Sequence, residues 1–92
     1  MDDNEIQKLW ETSAELKGNC SGVYFLFDGK ELVYIGKGWN CFLRIAEHTR
    51  KDSDKMFTSW NYIHIEDEDE YNALERTLIN KFSPRYNRNN RG

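Results

Sequence analysis

Two glycine-flanked tyrosines open the chemistry in this sequence: Gly22-Val23-Tyr24 and, after a short interval, Tyr34-Ile35-Gly36. A free phenol ionises near pH 10, so about one in a thousand is charged at neutral pH, and its use as a base requires help from a cation or a metal. Cations follow directly, as Lys37 and then Arg44, with His48 four residues beyond it on the same face of a helix. Glu75 falls inside an apolar helical stripe, next to Tyr71 and Ile79. A carboxylate buried there costs several kcal/mol, roughly, unless it is paired or metal-bound. Each feature also has an ordinary reading. The tyrosines suit sheet packing, Gly36 and Gly38 suit a turn from strand to helix, Arg44 and His48 suit a solvated face, and Glu75 could pair with Arg85. Trp39 and Trp60 could stack on bases or pack at the rim of a core.

The elements that must place these groups follow from periodicity. Residues 4–17 put Ile6, Leu9, Trp10 and Ala14 near one helical face, with Gly18 as a stop. The runs 22–27 and 31–36 meet at Asp28-Gly29, a pair favoured where a tight hairpin needs positive φ. Alternation then sets Tyr24 opposite Val23, Phe25 and Phe27. Asn40 caps a helix whose stripe is Cys41, Phe42, Ile45, Ala46 and Thr49. Residues 56–65 read as a third strand. The acidic run 66–70 opens a last helix carrying Tyr71, Leu74, Leu78, Ile79 and Phe82, which should end before Ser83-Pro84. The expected fold is α+β, a small sheet of about three mainly antiparallel strands flanked by helices. One domain fills residues 1–92, with 1–18 a helical extension and 20–88 the core.

A length of 92 residues excludes a two-domain enzyme. The formal charge of -3 argues at first against a nucleic-acid partner. That charge is segregated, however. Residues 1–16 hold five acids and one base, 66–70 hold five acids, and the remainder holds six acids against twelve bases. Those bases could form a phosphate-binding face. No stretch is long and apolar enough to span a bilayer and the start has no signal-peptide pattern, so a cytoplasmic protein with Cys20 and Cys41 reduced is expected.

Taken in order, Gly22-Val23-Tyr24, Tyr34-Ile35-Gly36, Arg44 with His48, Glu75 and Asn87 resemble the GIY-YIG nuclease family, which includes homing endonucleases, some restriction enzymes and the first nuclease domain of a repair excinuclease. The resemblance covers about residues 20–88, with valine in place of isoleucine in the first motif. It implies hydrolysis of a DNA phosphodiester with one divalent metal, magnesium or manganese. By the same resemblance Tyr24 would be the base or proton relay, Tyr34 would position water or phosphate, and Arg44 would bind the scissile phosphate. Glu75 would ligate the metal, His48 would assist proton transfer, and Asn87 would hold the active-site loop or the substrate. Gly36 belongs to the second motif, and Lys37 after it would favour a phenolate. A lone carboxylate suits magnesium, which keeps several waters and takes other ligands from substrate phosphate. The alternative is a nucleic-acid-binding or partner-binding module on the same fold that cleaves poorly alone; an interaction domain with acidic docking segments is more remote. With neither a zinc-finger spacing nor a long insertion to supply site specificity, the chain could cut single strands, branched structures or short sites, or borrow specificity from a protein partner, and double-strand cutting would call for a homodimer.

Overall fold

The computed structural model describes residues 2–11, 20–50 and 55–89. The first helix, α1 (Asp3–Glu11), is opened by a capping box: Asp2 Oδ1 accepts from the Glu5 N–H at 3.0 Å while Glu5 Oε1 accepts from the Asp2 N–H at 3.4 Å. The expected continuation to Lys17 and the stop at Gly18 lie outside the described residues. Strands β1 (Gly22–Asp28) and β2 (Glu31–Gly38) form the expected hairpin, each slightly longer than periodicity gave. Gly29, at φ 62, is the first of two loop residues, the place where a type II′ turn needs a residue without Cβ. Helix α2 (Cys41–Glu47), strand β3 (Ser59–His64), helix α3 (Glu68–Phe82) and helix α4 (Arg85–Asn89) complete the chain.

The sheet order is β2-β1-β3, antiparallel throughout, which places β1 in the centre. Residues 22–27 of β1 are all buried, because helices cover both sheet faces. Val23, Phe25 and Phe27 join Ile35, Ile6 of α1, and Tyr71 and Leu78 of α3 on the first face. Tyr24 and Leu26 join Val33, Cys41 and Ile45 on the second, against α2. Tyr24 therefore lies opposite the phenylalanines, as alternation required. Burying each of Phe25, Leu26 and Phe27 contributes about 1.5–3 kcal/mol.

A β-bulge breaks the alternation in β2. Leu26 faces Tyr34 but Phe27 faces Leu32, leaving Val33 as an extra residue. Val33 and Tyr34, although consecutive, consequently both pack on the second face. Strict alternation from Leu32 would have pointed Tyr34 to the side opposite Tyr24.

Helix α2 is shorter and more exposed than its stripe implied. It ends at Glu47, with His48 as cap; Cys41 and Ile45 are buried, but Phe42, Ala46 and Thr49 are exposed. Phe42 instead leans on Trp60, with ring centroids 6.2 Å apart. Asn40 is the N-cap, its Oδ1 accepting from the Leu43 N–H at 3.0 Å. Asp67 caps α3, and the exposed acids Glu68, Asp69 and Glu70 occupy its first turn, where the helix dipole favours negative charge.

Beyond α3 the chain turns at Ser83, φ 45, and starts α4, a helix that periodicity did not reveal. Pro84 ends one helix and opens the next, since its missing N–H costs nothing in a first turn. Helix α4 closes over β2. Arg85 pairs with Asp28 at 3.1 Å and Glu31 at 3.7 Å across the hairpin turn, so it is not the partner of Glu75. Asn87 Oδ1 accepts from the Ile35 N–H at 2.8 Å, and its Nδ2 donates to the Ile35 carbonyl at 2.9 Å.

Two outcomes follow from this packing. Asn87→Asp keeps an acceptor for the Ile35 N–H but sets an oxygen against the Ile35 carbonyl, and should lower stability in urea unfolding by about 1–3 kcal/mol. At Gly36 a Cβ would run into the Tyr24 ring. Gly36→Ala should therefore unfold the domain or expel Tyr24 from its buried site, read as a tyrosine fluorescence change and a Tm drop, whereas Gly29→Ala, with open space at its Cβ, should do neither beyond its backbone strain.

Candidate active site

On the second sheet face, Tyr24 reaches from the central strand over the bare backbone of Gly36. Its hydroxyl lies 2.9 Å from His48 Nε2, at the C-terminal end of α2. Tyr34, turned to this face by the bulge, stands beside both, its ring centroid 6.0 Å from that of Tyr24 and 5.2 Å from that of His48. Lys55 Nζ sits 4.9 Å from the centre of the Tyr34 ring, a cation–π arrangement. The hairpin strands β1 and β2 and the end of α2 thus bring Tyr24, Tyr34 and His48 into one cluster.

Arg44, one turn before His48, is half exposed and bonds Glu47 at 3.4 Å. Its stem passes so close to Gly38 that a Cβ there would stand 3.2 Å from Arg44 Cγ. Burial holds the Tyr24 phenol well above its ordinary range; the neighbouring Tyr34 adds to this, and Arg44 only partly opposes it. Tyr24 is accordingly neutral at any ordinary pH, and with an unprotonated His48 Nε2 it donates the hydrogen bond. The expected phenolate is not what this environment favours.

Lys37 is placed elsewhere than that expectation required. It points from β2 toward α3, where it is the leading positive influence on Glu75. Glu75 is half-buried among the apolar residues of α3, and burial raises its carboxyl above the usual range despite Lys37 and Arg76. Strand β2 runs between the two groups: Lys37 neighbours Glu75, the next residue Gly38 abuts Arg44, and Arg44 acts on Tyr24.

Asn87 faces neither half directly. Both its amide groups are taken by Ile35, so it fixes the backbone between Tyr34 and Gly36. His64 is occupied by the Ser21 carbonyl, 3.1 Å from Nδ1, and by Glu66. Cys20 and Cys41 are free, and burial pushes the Cys41 thiol up to about 12, which leaves it unreactive. Sequence reasoning missed Lys55; its only signal was a place in the basic set.

Among the described residues no group of three or more His, Cys, Asp or Glu side chains could hold a metal ion. A lone, half-buried carboxylate with an open side fits magnesium, which retains waters and recruits phosphate oxygens, and does not fit zinc, which demands a nearly complete set of protein ligands. No helix among the described residues is long and apolar enough to cross a membrane.

Comparison with known proteins agrees with the fold. A family model described as the UvrC-like GIY-YIG domain matches residues 20–88. The UvrABC system protein C of Chlamydia abortus is 38% identical over 76 residues, covering 72% of this chain. That of Thermosipho africanus is 36% identical over 72 residues, again 72% of the chain. In each case the match spans 13% of the relative's own length. The GIY-YIG N-terminal endonuclease domain of UvrC from Thermotoga maritima, bound to its catalytic divalent cation magnesium, superimposes with a TM-score of 0.63 at 25% identity, covering 94% of this chain and 98% of that one. The chain belongs to the UvrC-like GIY-YIG domain family.

Proposed function

We propose that this domain is a metal-dependent DNA endonuclease that hydrolyses a phosphodiester by direct attack of water, without a covalent protein–DNA intermediate. The observation that carries the reading is the hydrogen bond between buried Tyr24 and His48, set beside Tyr34 and Arg44. A neutral phenol bonded to an imidazole is a relay: Tyr24 accepts a proton from the attacking water as its own passes to His48 Nε2. This removes the need for a phenolate, which burial disfavours. Tyr34 flanks the relay and limits where a water can sit. Arg44, with half its side chain exposed, presents a guanidinium to the scissile phosphate and to the charge that grows on it. Glu75 would hold the divalent cation, with Lys37 neutralising surplus charge beside it. When bound, the cation supplies Lewis-acid stabilisation of the phosphate and the leaving oxygen.

The relatives are components of a UvrABC system, and the chain corresponds to a small part of their length. Partner proteins or further domains supplying the choice of DNA site are therefore part of the proposal. The cellular setting that goes with it is the cytoplasm.

Incubation of purified protein with supercoiled, linear and single-stranded DNA in magnesium, manganese or EDTA tests the activity. Cleavage should need the metal, and Arg44→Ala and Glu75→Gln should each lower it by about 100-fold or more. Because burial opposes the charge on Glu75, Glu75→Gln should unfold no earlier than the parent protein; full activity in that variant would remove the metal role. Tyr24 gives a separate pH signature. The unfolded phenol ionises near pH 10 while the folded one keeps its proton, so stability falls as pH rises above about 10. The decline between about pH 9 and 11 should be shallower in Tyr24→Phe, and equal slopes in urea unfolding would show that Tyr24 is not held neutral.

A further inference from the structure

The segment that joins β2 to α2 carries apolar groups that the core does not use. Trp39 is 74% exposed, and Phe42 and Leu43 of α2 are 46% and 48% exposed. Scattered singly such residues are ordinary, but these three fall within five positions. Phe42 leans on Trp60, whereas the Trp39 indole makes no hydrogen bond or ring contact among the described residues. Their place relative to Arg44 is close on both sides. Gly38, the residue before Trp39, would set a Cβ 3.2 Å from Arg44 Cγ, and Leu43 directly precedes Arg44. The apolar group therefore begins where the candidate phosphate ligand stands.

We propose that Trp39, Phe42 and Leu43 form an apolar ridge that lies against the sugars and base edges of the nucleotides beside the phosphate held by Arg44; the inference rests on the nuclease reading above. Charge alone is a weak basis for holding DNA here, since the chain carries a formal charge of -3 and Arg44 already meets Glu47 at 3.4 Å. From Leu32 to Ala46 the sequence holds Lys37 and Arg44 and no acid, so the partner of this segment is an anion that also offers apolar surface. DNA does both, through its phosphates and through its sugars and bases. A protein seated on the ridge would cover Arg44, because the two are contiguous, and so would compete with the phosphate. The ridge thereby contributes a share of DNA affinity that sodium chloride does not screen: phosphate contacts weaken steeply with salt through counter-ion release, whereas burial of apolar surface does not depend on that release.

The test measures affinity for a labelled duplex oligonucleotide by fluorescence anisotropy over a range of sodium chloride, in magnesium, with Glu75→Gln present throughout to hold off cleavage. Inorganic polyphosphate, which has charge but no sugar or base, serves as the competing ligand. Trp39→Ser and Leu43→Ser should each weaken duplex binding by about 10-fold at every salt concentration, with the slope of log affinity against log salt unchanged and polyphosphate binding unaltered. Arg44→Ala should do the reverse, flattening the slope and weakening both ligands. Unchanged duplex affinity in the two serine variants overturns the proposal, as does a loss shared equally by polyphosphate. Where a serine variant melts earlier than its parent, indole fluorescence decides instead: DNA should quench it in the parent, and an equal quench in Trp39→Phe overturns the contact. A Trp39-dependent dimer in sedimentation without DNA, with DNA affinity intact in Trp39→Ser, would assign the ridge to a second copy and overturn it as well. Cleavage by the Glu75 form is scored separately. Metal-dependent cutting with no ridge effect sinks the ridge alone, and a ridge effect without cutting sinks the nuclease reading alone.

Discussion

The structure depends on one close approach, the Tyr24 ring laid against the backbone of Gly36. It joins the central strand to the edge strand on the face that holds Tyr34 and His48, and it buries a phenol almost completely. Burial has two effects with the same cause. The ring gains the apolar contact that a small core needs, and the hydroxyl loses the water that would have stabilised its ionised form. A neutral phenol needs a partner, and the end of α2 supplies one in His48. The helix that delivers His48 also delivers Arg44 one turn earlier, so a packing requirement in the sheet sets Tyr24, His48 and Arg44 beside one another.

The two faces of β1 divide the labour. The first, with α1 and α3, holds the phenylalanines and most of the apolar mass. The second is thinner, with tyrosines, a histidine and a short helix whose Phe42 and Leu43 remain exposed. Glu75 belongs to α3, on the first face. It rises from the well-packed side, where its charge is unwelcome, and Lys37 offsets only part of that cost. The pKa of a carboxyl so placed is raised by burial more than the neighbouring cations Lys37 and Arg76 lower it.

Much of this was legible from residue order. The hairpin is written in β-branched and aromatic runs around Asp28-Gly29, the placement of Tyr24 in strict alternation, and the oddity of Glu75 in its apolar stripe. The Tyr-Ile-Gly and Gly-Val-Tyr triplets, with Arg44, His48 and Asn87, indicated the family. What stayed hidden depended on contacts between distant segments. Val33 looks like any strand residue, and only its pairing with β1 makes it the bulge that turns Tyr34 around. Lys37 looked ready to charge a phenol because it follows the motif, but strand alternation sends it to the opposite side, toward Glu75. Ser83-Pro84 read as a stop because proline forbids helix behind it, although it equally permits helix ahead.

The grip of Asn87 on Ile35 has a consequence outside the site. Strand β2 is an edge, and an open edge invites another chain to add itself by backbone pairing. Here a side-chain amide already occupies the carbonyl and N–H of Ile35, in the middle of the strand, and Arg85 clamps the hairpin end. A would-be neighbour on that side finds its central hydrogen bonds taken. Sheet extension between copies is thereby steered to the β3 edge, so the residue that steadies the second motif also helps keep the protein from aggregating through it.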